Sequence, residues 1–152
     1  MKQVPDKLKN SAPEGTVWFG GPIDRSKVSL RIFWENLNPD EISRLLKCPP
    51  SKTKEIVKKA IDKTKEGISH TAWWNLESNL PDETDLEEKV WDILQRISGD
   101  QGVWDFLTAR YDIDLFCGVF LETQNRGFNL SVKLMRELSR LGIKIGFDIY
   151  GP

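Results

Sequence analysis

The 152-residue chain offers few side chains for acid–base, nucleophilic or metal chemistry. His70 is the only histidine, and the two cysteines, Cys48 and Cys117, have no partner at a CxxC spacing. A zinc centre draws its four ligands from cysteine and histidine at short spacings, so these residues make no metal site by motif. As a general base, His70 would need an orienting carboxylate and a nucleophile, and neither is identifiable beside it. Asp112 and Asp114 share a strand face, with a separation of about 7 Å. That distance suits an inverting hydrolase pair. However, Asp112 falls at the strand end, in solvent, and the pair is not assigned to catalysis. Arg31 and Glu35 also share a face. They either form a small polar pocket, with His70 as third member, or are ordinary sheet-surface residues paired with each other or across to a neighbouring strand. Gly20-Gly21-Pro22 is a turn and not a phosphate loop, because no Lys-Ser or Lys-Thr pair follows it into a helix. No catalytic residue, metal ligand or cofactor is assigned.

These residues would be positioned by a sheet. Ile113 to Leu121 is apolar on both faces, with Ile113, Leu115, Cys117, Val119 and Leu121 on one and Phe116 and Phe120 on the other. Such a strand is expected to be central and covered on both sides. Cys117 then reads as a small buried hydrophobe. Val28 to Trp34 alternates in the same way, with Arg31, Phe33 and Glu35 on its second face. Further strands are expected around Trp73 and Trp74 and over 143–149. Helix signals lie between them. Asn38 is an N-cap with Pro39 at the first helical position, Thr84 and Glu87 form a capping box, and Ser131 opens a helix that Gly142 closes. Gly99 breaks the helical stretch 84–110 in two.

Composition bounds the function classes. Twenty-two basic against 23 acidic residues give a net charge of -1, so no global field attracts nucleic acid or anionic lipid. No apolar run approaches the ~18 residues of a membrane helix, and the polar start is no signal peptide, so a cytoplasmic location is expected. The length fits one domain. Residues 1–15 read as a flexible arm and 16–152 as a single α+β domain. The lysine-rich stretch 51–67 is a solvated amphipathic helix or mobile loop, or else a basic binding surface.

Glu41-Ile42-Ser43-Arg44-Leu45-Leu46 echoes Glu137-Leu138-Ser139-Arg140-Leu141-Gly142, each after a strong strand. Two β-α-β units, 28–76 and 113–149, joined by inserted helices, predict a ferredoxin-like sheet with 28–34 and 113–121 as inner strands. The inserted helices 84–110 are expected to cover the face carrying Phe33, Phe116 and Phe120, with Trp104 buried against it. Where cover is incomplete, Phe33, Trp73, Trp104, Phe116 and Phe120 are the candidate interface.

The strand Leu30 to Trp34 is followed in order by Leu37-Asn38-Pro39-Asp40-Glu41-Ile42, Trp74-Asn75-Leu76-Glu77-Ser78, Phe128-Asn129-Leu130-Ser131 and Phe147-Asp148-Ile149-Tyr150. This series resembles the bacterial domain family DUF4279 over residues 27–150. The resemblance implies an α+β domain of the bacterial cytoplasm and supplies no catalytic positions. The lysine-rich stretch after Pro50 departs from the family pattern. Two function classes follow. One is a non-enzymatic protein-binding domain, such as an immunity or inhibitor protein. The alternative is a small-molecule binder or enzyme using an arginine and carboxylate pocket at Arg31, Glu35 and His70. The sequence does not give the oligomeric state.

Overall fold

The structure is a computed structural model describing residues 10–16, 20–54 and 71–152. His70, Val17 to Phe19, residues 1–9 of the expected arm and 55–67 of the lysine-rich stretch lie outside the described residues. The element order is β1 (Arg25–Trp34), α1 (Pro39–Leu46), β2 (Lys52–Lys54), β3 (Ala72–Glu77), α2 (Leu86–Arg96), α3 (Gln101–Thr108), β4 (Asp112–Phe120), α4 (Val132–Leu141) and β5 (Lys144–Tyr150).

Most helix ends follow their local chemistry. The Asn38 side chain accepts from the amides of Asp40 and Glu41, and Pro39 occupies the first turn. Ser131 Oγ accepts from the Leu134 amide, and Gly142 leaves α4 in the left-handed conformation at φ 72°. A Cβ at Gly142 would lie 3.3 Å from Thr108, so both backbone sign and space favour glycine there. The Thr84 capping box does not form. Asp85 is the cap of α2, accepting from the Glu87 amide. The Glu87 carboxylate instead receives the Ser131 amide and hydroxyl, tying the start of α4 to the start of α2. A long-range partner has displaced the local one.

The five described strands are ordered β2-β3-β1-β4-β5. β1 is antiparallel to both β3 and β4, whereas β4 and β5 are parallel. The fold is therefore α+β with a mixed sheet, and strands 28–34 and 113–120 are indeed inner neighbours. The ferredoxin-like topology is not what the sheet shows, because β4 and β5 are direct neighbours where that fold sets a strand of the other unit between them. Of the two expected β-α-β units one is present. Residues 113–149 form a β-α-β unit with α4 crossing between parallel strands. In the other half β1 and β3 are direct antiparallel neighbours, so 28–76 is no such unit.

One apolar core unites the sheet with the four described helices. Leu30 and Ile32 of β1 and Leu115 of β4 join Ile42, Val90, Leu107 and Leu138, one from each helix. Helices α2 and α3 thus pack on the same sheet face as α1 and α4, contrary to the expected two-sided cover. Trp104 is fully buried, but in this shared core. Its indole N–H donates to the Ser98 carbonyl at 2.7 Å, which satisfies the ring's polar atom. Among the described residues no helix covers the face of Phe33, Phe116 and Phe120.

Candidate functional site

Strand alternation puts Arg31 and Phe33 of β1, Trp73 and Asn75 of β3, and Asp114, Phe116 and Phe120 of β4 on this open face. The pairing sets their order. Phe33 is opposite Trp73 on one side and Asp112 on the other, and Arg31 is opposite Asn75 and Asp114. Arg31 Nε and Nη2 donate to the two Asp114 carboxylate oxygens at 2.7 and 2.6 Å. This fork-to-fork geometry is the strongest form of an arginine–carboxylate pair. Asp114 is only 8% exposed, although it lies on the uncovered face. The hydrogen bond to Asp114 holds the Arg31 guanidinium above its usual pKa, with burial working against it.

The same guanidinium lies 4.3 Å from the centre of the Phe116 ring. Phe120 stacks on Tyr150 at 5.1 Å between centroids, and Arg25 lies over Phe120. The rings are therefore shielded in the plane of the face, by cations and by each other, and all three phenylalanines stay half-buried. Such cation–ring contacts contribute roughly 0.5–2 kcal/mol each, depending on desolvation. Beside them Arg31, Phe33, Thr71, Trp73 and Asn75 line a shallow depression of about 430 Å³. Lys52 with Glu77 at 3.0 Å, and Lys144 with Asp112 at 3.8 Å, form exposed ion pairs at the rim.

The structure brings Arg31, Phe33, Trp73, Phe116 and Phe120 onto one surface but separates the other candidates. Glu35 is exposed in the turn beyond β1, and the carboxylate on Arg31 is Asp114. Trp104 is on the far side of the sheet, so it belongs to the core and not to an interface. Asp112 and Asp114 do not act as a free pair, because both Asp114 oxygens are held by Arg31. Cys117 is buried, and desolvation raises its thiol pKa to about 12, leaving it protonated at neutral pH.

Two features escaped the sequence reading. Tyr150 extends the aromatic row through its partner Phe120. Lys89 is 1% exposed, and its ammonium donates to the carbonyls of Ser26 and Asp82, fastening the 80–85 loop to the start of β1. Burial pulls its pKa below the ordinary lysine value. The available signal was its place in the helical stripe of Leu86, Val90 and Ile93, where a lysine must find buried acceptors.

The family model described as "Domain of unknown function (DUF4279)" matches residues 24–152, and the chain belongs to that family. Neither the curated proteins nor the solved structures include a match to the chain. No helix among the described residues is long and apolar enough to cross a membrane.

Proposed function

We propose that this domain binds another protein through the open face of its sheet. The observation that carries the reading is the cluster of Phe33, Trp73 and Phe116 around a clamped Arg31, which no helix among the described residues covers. Aromatic rings and arginine are the residues in which interface energy concentrates, and fixing them before binding lowers the ordering cost. Lys27 and Lys54 are exposed at the edge of this face. They suit a partner with an apolar spot ringed by carboxylates, since unlike charges at a rim steer encounter. An immunity or inhibitor role in the bacterial cytoplasm is the setting in which such a domain, without assigned chemistry, fits best.

The alternative of a small-molecule site at Arg31 has less support. Asp114 already takes two of its donors, and the depression beside it is shallow.

The full chain immobilised as bait in native bacterial extract tests the proposal. A stoichiometric partner retained by wild type and lost from Phe33→Ala/Trp73→Ala, with an unchanged circular dichroism spectrum, is the expected result. Retention of the same partner by that double variant would refute the assignment of this face. Arg31-dependent turnover in a hydrolase screen would favour the alternative.

A further inference from the structure

We propose that β5 is a homodimerisation edge, on which two copies pair antiparallel about a two-fold axis at Gly146 to give one ten-stranded sheet. β5 is the last strand in the sheet order, so among the described residues its outer side is unpaired. The Leu121 amide donates to the Tyr150 carbonyl. By strand alternation the even-numbered residues therefore turn their backbone groups toward β4. Ile145, Phe147 and Ile149 turn theirs outward, where they can join a second strand.

Three observations select a second copy in this register. The first is charge. An axis at Gly146 places Lys144 opposite Asp148 of the other copy, twice over. Gly146 and its two flanking pairs fall at non-hydrogen-bonded positions, where facing side chains approach most closely. An axis at Asp148 would instead set that carboxylate against itself. The second is Gly146. It has no positive φ, and a Cβ added there meets nothing within 4 Å. Nothing in its own described surroundings calls for glycine, and one use of glycine inside a strand is to let another backbone approach closely. The third is apolar exposure. Ile149 is 60% and Met135 49% exposed. At 100° per residue, Met135 lies on the flank of α4 opposite Lys133 and Arg140, which contact Trp91 and Gly99. Met135 therefore borders the outer edge of β5. Strands ~4.8 Å apart place the two α4 axes about 10 Å apart across the axis, within helix-packing distance.

The register is tested by charge reversal in the full-length protein, with sedimentation velocity over a range of protein concentrations as the readout. Wild type is expected to dimerise. Lys144→Asp and Asp148→Lys should each weaken the dimer at least about tenfold, by turning two attractive pairs into repulsive ones. Lys144→Asp/Asp148→Lys should restore it. Rescue cannot arise within one chain, because residues four apart on a strand are about 13 Å apart. Hydrogen exchange on wild type supplies a second readout that needs no variant. Amides of Ile145, Phe147 and Ile149 should lose protection on dilution, while those of Gly146, Asp148 and Tyr150 keep it. A monomer at every concentration, or a double variant no tighter than the singles, would overturn the proposal, as would protection that does not change with dilution.

Discussion

The two faces of the sheet are made by the same strands, one residue out of phase, and they are stabilised by different physics. On the covered face Leu30, Ile32, Leu115 and Trp74 have no exposed surface, and their energy comes from removing apolar area from water. On the open face the rings are half-buried, and what holds them is lateral: a guanidinium on Phe116, a tyrosine on Phe120, a carboxylate clamping the guanidinium. Two-sided hydrophobicity of a strand therefore need not mean two-sided burial. Aromatic and arginine side chains cover one another, which branched aliphatic side chains do less well.

The sharpest way to test this contrast is to cut each face in turn. Trp104→Ala empties a fully buried site of the shared core and should cost about 3–5 kcal/mol in denaturant unfolding. A loss under about 1 kcal/mol would mean that the covered face is not closely packed there.

Alkaline pH probes the covered face from inside. The Cys117 thiol pKa rises from 9.0 to about 12 on folding. Its contribution to stability is thus fully present below pH 9 and is lost as pH rises from there toward 12. While the unfolded chain has released this proton and the native one has not, the slope is about 1.4 kcal/mol per pH unit. Cys117→Ala should therefore show a shallower fall than wild type over that window, whatever its stability at neutral pH.

The open face should give smaller losses. A double-mutant cycle on Arg31→Ala and Asp114→Ala should yield a coupling of about 1–2 kcal/mol, between the values of exposed and fully buried pairs. The smallest effect is expected from Phe33→Ala, under about 1 kcal/mol in stability, with its main consequence in partner binding. Stability losses on the open face equal to that of Trp104→Ala would show that it is a second core.

Much of the fold was legible because it is local. Asn38, Ser131 and Gly142 sit at the helix ends where their side chains or φ belong, and Gly99 falls between α2 and α3. Where a local signal failed, a distant group had intervened. Glu87 left its expected capping box for Ser131, 44 residues on. In the candidate site the residue types were legible but their partners were not. Arg31 pairs with Asp114, 83 residues away, because the antiparallel register puts them side by side, and no periodicity carries that information. The role of Lys89 is not legible because its acceptors are backbone carbonyls, one in β1 and one in the 80–85 loop, which have no sequence signature.

By itself, then, the sequence determined the alternation of the strands, most of the helix ends, the two inner strands and the aromatic and arginine character of one sheet face. These depend on side-chain chemistry within a few residues along the chain. Tertiary structure alone decided that β1 and β3 are direct neighbours, that the four described helices share one face, so that the buried Trp104 packs there and not against Phe33, and that Phe33 and Trp73 border an open depression. The physical reason is that a strand presents two faces of similar hydrophobicity here. Which one is buried depends on where helices distant in sequence find the better fit, a choice among packed arrangements that the chain's local preferences leave open.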